Sequence, residues 1–208
     1  MLTRIRLAAL AAAAALSLTS AACGGSDSSS SASSTQSTSS SAASASVSGE
    51  HNDADVSFTQ NMIVHHQGAI AMAELAGSRA TTPQVKDLAD RIKAAQQPEI
   101  DRMTAWLEAW GEPAAPTGDA MAGMDHSGGA MGMMTDEQVN QLTAASGTDF
   151  DRMFLQMMTT HHQGAIEMAQ AEQSNGSNPQ AVALARSIAT SQTAEVGEMN
   201  QLLQNLGS

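Results

Sequence analysis

The chain has a single cysteine, Cys23, no tyrosine, and only three phenylalanines and two tryptophans in 208 residues. One cysteine excludes an intrachain disulfide, and its acylation would leave no thiolate for a metal site. Basic residues are also scarce, 9 against 21 acidic ones. That balance repels nucleic acid and anionic lipid and mildly concentrates cations. No apolar run reaches membrane-spanning length; the longest, Leu7 to Leu18, is too short to cross a bilayer. The core must therefore be built from something other than aromatics. The chain offers abundant alanine and 14 methionines, which suit close-packed helices and fill irregular gaps.

The N-terminus reads as an export signal over residues 1–22. Arg4 and Arg6 precede the apolar run, and small residues lead to Cys23. A cysteine directly after small residues looks like a lipoprotein lipobox, although Ser20 stands where Leu is usual. Cys23 is the expected lipidation site. The expected location is extracytoplasmic, on the cell membrane, with secretion or a periplasmic location as the alternative. Residues 23–49 are dominated by Ser and Ala and read as a disordered tether. Loss of Arg4 and Arg6 from the 9 basic residues leaves 7 against 21 acidic, a formal charge of −14.

Residues 50–208 make one domain containing an internal repeat. His-His-Gln-Gly-Ala-Ile occurs at 65–70 and again at 161–166, an offset of 96 residues that runs ungapped from Asp55/Asp151 to Leu107/Leu203. In the first copy Asp55, Phe58, Met62, His65, His66, Ala69, Met72 and Ala73 share one helical stripe. Thr81, Thr82 and Pro83 then break the pattern. Val85, Leu88, Ile92, Gln96, Glu99, Met103 and Trp106 follow at alternating steps of three and four. The second copy repeats both stripes, with Asn175, Gly176, Asn178 and Pro179 between them. The spacing predicts two αα-hairpins pairing into an all-α four-helix bundle: repeat one over 53–110, a connection over 111–136, and repeat two over 137–207. Pro98 should kink or interrupt the second helix. Asp55 and Asp151 suit helix starts.

Antiparallel hairpins put residues equidistant from the turn at one height. His65 and His66 then meet Gln96, and Met62 meets Glu99; repeat two pairs His161 and His162 with Gln192, and Met158 with Glu195. The result is a polar slab in an apolar bundle. Imidazoles with nearby thioethers point to a soft or borderline transition metal held by these histidines with Met62 and Met158. Glu99, Glu195, Gln96 and Gln192 suit an outer shell, since a ligating His donates its other N–H to such groups. A hydrogen-bonded core histidine is the plainer alternative, and adjacent histidines, about 100° apart on a helix, do not point equally inward. Met72 and Met168 are further candidate ligands, although they, like Met103 and Met199, read more readily as core packing. Gln67 and Gln163 either anchor imidazoles or face solvent, and Gly68 and Gly164 permit close helix approach. The connection adds Met121, Met124, Asp125, His126, Met131, Met133 and Met134. Thioethers select Cu(I), so Met124 and His126 in this segment are further candidate ligands.

In this order the residues Asp55, Phe58, Met62, His65-His66-Gln67-Gly68-Ala69-Ile70, Pro83, Gln96, Glu99 and Trp106-Leu107 resemble the bacterial exported family catalogued as domain of unknown function 305. The resemblance covers about residues 50–208, and its second half departs at Leu202-Leu203. It implies a ferritin-like four-helix fold. It also implies, by analogy with members described as periplasmic copper-binding proteins, copper ligands at His65, His66, His161, His162, Met62 and Met158. The leading expectation is a tethered protein that buffers or sequesters Cu(I) or Cu(II), with zinc less favoured, no enzymatic activity and no nucleic-acid partner. The membrane is met through the lipid anchor alone, and no protein partner is indicated. A ferritin-like di-iron enzyme is the first alternative, but the chain lacks Glu-x-x-His. An interaction module whose polar layer only fixes helix register is the second.

Overall fold

The computed structural model describes residues 47–114 and 132–207. The leader, Cys23, most of the tether, and Met121, Met124, Asp125, His126 and Met131 lie outside the described residues. Among the described residues five helices form: α1 (Asp53–Arg79), α2 (Pro83–Trp110), α3 (Asp136–Ala144), α4 (Gly147–Asn175) and α5 (Pro179–Leu206). Asn52 caps α1 by accepting from the backbone N–H groups of Ala54 and Asp55. The Asp55 carboxylate accepts the Asn52 N–H in return, which completes a capping box. Pro83 and Pro179 each open a helix in its first turn, where a missing N–H does no harm. Gly111 ends α2 at φ +76°, a left-handed conformation that glycine adopts without steric penalty.

Helices α1 and α2 form one hairpin, α4 and α5 the other, and α1 packs on α4. The two histidine-bearing helices therefore face each other across the centre. Phe58, Met62, Ile92, Met103, Leu107, Phe150, Phe154, Met158, Ile188 and Met199 are buried among alanines. Each large side chain so buried contributes about 1.5–3 kcal/mol.

Three sequence expectations change. The bundle has a fifth, short helix, α3, because Thr135 and Gln138 cap each other's backbone and Leu142 is fully buried. Helix α2 runs through Pro98 without interruption. Pro98 and Ala94 are both exposed, so water can take the carbonyl hydrogen bond that proline forfeits. Asp151 does not start a helix; it lies inside α4 and is fully buried. Its carboxylate accepts from the N–H and Oγ1–H of Thr81 and of Thr82, at the turn of the other hairpin. Asp55 mirrors it, accepting from the N–H and Oγ–H of Ser177 and the N–H of Asn178. Each repeat thus clamps the other's turn.

Residues 47 and 48, at the end of the stretch expected to be a tether, pack on this frame. Ser48 accepts from Trp110 Nε1 at 2.8 Å and donates its N–H to Gln180 at 2.8 Å. His51 stacks on Trp110.

Candidate metal centre

All four repeat histidines are buried: His65 at 2% exposure, His66 at 0%, His161 at 1% and His162 at 0%. The two rings of each pair point in different directions, as their separation of about 100° on the helix requires, yet both are buried. Helix α1 is enclosed by α2 on one side and α4 on another, so its buried arc spans both ring directions. The pairs then divide the work. His65 and His161 meet across the bundle, their ring centroids 3.6 Å apart and the planes 41° to one another. His66 and His162 turn toward their own hairpin partners. His66 Nε2 donates to Glu99 Oε2 at 2.8 Å, and His162 Nε2 donates to Glu195 Oε2 at 2.7 Å. By height the glutamates also match Met62 and Met158, but a thioether has no proton to donate, so each carboxylate takes the imidazole N–H, the outer-shell partnership expected of it.

These carboxylate contacts fix the tautomer. An ionised carboxylate accepts only, so the proton of a neutral ring sits on Nε2 and Nδ1 is left as a bare lone pair. Nδ1 of both His66 and His162 is buried and makes no hydrogen bond. Both ring nitrogens of His161 are in the same condition. Burial holds the His161 imidazole well below its ordinary pKa, and the three neighbouring histidines add to this, so its ring is neutral and has one free lone pair. A buried polar atom left unsatisfied costs about 1–3 kcal/mol. Gln96 and Gln192 lie 3% exposed in the same layer, each with an unbonded Oε1.

Met62 and Met158 are fully buried one helical turn before the histidine pairs, and Met72 is 4% exposed. Met168 is half-buried and packs on the core. Met103 and Met199 are fully buried. Gln67 and Gln163 face solvent. Gly68 does allow close approach: a Cβ there would stand 3.3 Å from His161 Nε2. Among the described residues, no three His, Cys, Asp or Glu side chains gather as an ion-holding group. The interior donor set is thus imidazole pairs with thioethers on the same helix faces.

One buried titratable group was not anticipated. Glu172 is 2% exposed, and burial, together with the neighbouring Asp55 carboxylate, pushes its pKa up to about 8. The available signal was a break in the repeat, since Ala76 stands at the matching position of α1.

The family model described as "Domain of unknown function (DUF305)" matches residues 55–203. A crystal structure of a DUF305 protein from Streptomyces coelicolor, described provisionally as secreted, is 32% identical with a TM-score of 0.68, covering 74% of this chain and 94% of that one. CopM in its Cu(II)-bound form is 39% identical with a TM-score of 0.63, covering 73% and 96%. CopM in its Cu(I)-bound form aligns at 34% identity and a TM-score of 0.60, again covering 73% and 96%. No curated protein is significantly similar to the chain. Among the described residues, no helix is long and apolar enough to cross a membrane.

Proposed function

The chain belongs to the DUF305 family, and from that premise we propose that it is an exported, lipid-anchored protein that binds copper and buffers or sequesters it. The observation that carries this reading is the set of buried, unbonded imidazole nitrogens on His66, His161 and His162. Buried lone pairs without a hydrogen-bond partner are unfavourable unless something fills them. A cation that accepts nitrogen lone pairs fits that need. Glu99 and Glu195 then act as the carboxylates that orient His66 and His162 and raise their basicity.

The donor types favour copper over zinc. Structural zinc sites are closed by four Cys, His, Asp or Glu ligands, whereas this layer pairs imidazole with thioether. Imidazole suits both copper states and thioether favours Cu(I). His65, His66, His161 and His162 are the proposed ligands, with Met62 and Met158 as the nearest sulfur donors. Met72 and Met168, and Met124 and His126 of the connection, are proposed accessory donors. Similarity to CopM, whose structures hold Cu(I) and Cu(II), supports the metal and both oxidation states. Cys23 is the proposed anchor, and the role is binding rather than catalysis.

The test is metal analysis of the mature protein after exposure to copper, zinc and iron together. Copper should be retained selectively. Replacing His65, His66, His161 and His162 with Ala should abolish the tight component while circular dichroism stays helical. Unchanged copper affinity in that variant would overturn the proposal.

A further inference from the structure

A groove of about 270 Å³ opens beside the central layer, and Gly68, Met72, Leu75, Met133, Met134 and His161 help to line it. Three of these side chains carry thioethers. The fourth donor, His161, has two ring nitrogens without a hydrogen bond. Gly68 lines the groove beside the ring, where a Cβ would come within 3.3 Å of His161 Nε2. Glycine at that position keeps the nitrogen approachable from the groove.

The end of the connection is placed with equal care. Gly132 has φ +75° and lies so close to α4 that a Cβ would meet Thr160 O at 2.6 Å and His161 Cα at 3.1 Å. Only glycine satisfies both the backbone conformation and the space. Met133 and Met134 follow directly and are thereby delivered to the groove next to His161. The repeat shows that the fold does not require this. Met168, the repeat mate of Met72, lies in a groove with Phe58, Asn61 and Glu172 that contains neither a second methionine nor a histidine.

We infer that the groove is the entry site through which Cu(I) reaches the imidazole layer, with Met72, Met133 and Met134 receiving the ion and His161 Nε2 drawing it past Gly68. This rests on the copper-binding reading above. Thioethers select Cu(I), and their flexible side chains can follow an ion over a short path. The transfer is a ligand exchange in which a copper–sulfur bond breaks as a copper–nitrogen bond forms. No electron moves, and the His161 proton stays on Nδ1.

The test measures the rate at which the full chain takes Cu(I) from a coloured Cu(I) chelate. Met133→Leu with Met134→Leu removes sulfur and keeps apolar volume. Loading should slow about tenfold or more, while the equilibrium affinity changes by less than about threefold. Met153→Leu, a partly buried methionine elsewhere, should load like the parent. A double variant loading within about twofold of the parent would overturn the entry site; so would a lost affinity with an unchanged rate, which would make these residues resting ligands. A parent chain that takes up no Cu(I) at equilibrium would instead overturn the copper reading itself. Should the double variant fail to fold, the parent alone decides. Substoichiometric Ag(I), a redox-inert mimic, should shift the methyl resonances of Met72, Met133 and Met134, and unmoved resonances would overturn the inference.

Discussion

At the scale of single residues, what distinguishes His66 and His162 from ordinary core histidines is the carboxylate each one faces. Glu99 and Glu195 are only partly buried, with side chains 18% and 17% exposed, while the ring each one holds is wholly buried. Replacing either with Gln removes the charge that orients the ring and supports its basicity. Glu195→Gln should therefore weaken copper binding about 10–100-fold, with unchanged helicity, as measured by competition with a copper chelator. Glu172 gives a second residue-scale prediction, this one about pH. Its pKa in the folded protein is raised from 4.5 to about 8, so its contribution to stability is complete below 4.5 and is lost as pH climbs toward about 8. Asp55 behaves oppositely. Burial alone would raise its pKa, but the neighbouring Glu172 carboxyl and the N–H groups of Asn52, Asn178 and Ser177 hold it below 3.8, so its contribution is present above that value and lost in stronger acid. Both contributions are complete only between 3.8 and 4.5. Between about pH 5 and about pH 8 the parent should lose more stability than Glu172→Gln, by on the order of 2 kcal/mol in urea titrations.

At the scale of helices, Pro98 is the position where the two halves of the molecule differ most sharply in backbone chemistry. Its repeat mate is Ala194. Because α2 continues through Pro98 on an exposed face, solvent offsets part of the lost hydrogen bond but not the ring's clash with the preceding turn. Pro98→Ala should stabilise the bundle by about 1–3 kcal/mol, seen as a raised thermal midpoint with the His66–Glu99 contact intact. The hairpins themselves were legible in the sequence. The stripes through Phe58, Met62 and Ala69, and through Val85, Leu88 and Ile92, are long and strictly periodic, and the offset of 96 residues states each twice. Helix α3 was not, because its only buried residue is Leu142 and a single apolar position carries no period. Its signature was present in Thr135-x-x-Gln138, a capping box at the edge of a Gly- and Met-rich stretch. The polar layer was legible in height but not in detail. Distance from the turn placed Gln96 near the histidines and Glu99 level with Met62; only donor chemistry, a ring N–H against a thioether with no proton, pointed Glu99 to His66.

At the scale of the whole molecule, the two buried aspartates make the hairpins interdependent. The Asp151 carboxylate accepts four hydrogen bonds from Thr81 and Thr82, and Asp55 takes the same position against Ser177 and Asn178. Neither contact was legible in the sequence, since a carboxylate on an apolar stripe does not name its partner, and these partners lie 69 or more residues away. Their physical effect is to order each turn only when the opposite hairpin is docked. Packing of α1 on α4 and the His65–His161 ring contact act in the same direction, so the bundle should unfold as one unit. Asp151→Asn keeps the size of the side chain but replaces one acceptor oxygen with a donor that faces the Thr82 N–H or hydroxyl. Hydrogen bonds to a charged group contribute about 1.5–3 kcal/mol each and are not additive, so the variant should lose about 2–4 kcal/mol. If the hairpins are coupled as described, its denaturant curve will shift to a lower midpoint with the parent's slope and a single transition. A biphasic curve, with the α1–α2 hairpin melting first, would mean that the clamp secures a local turn and that the halves of the bundle are held together by something else.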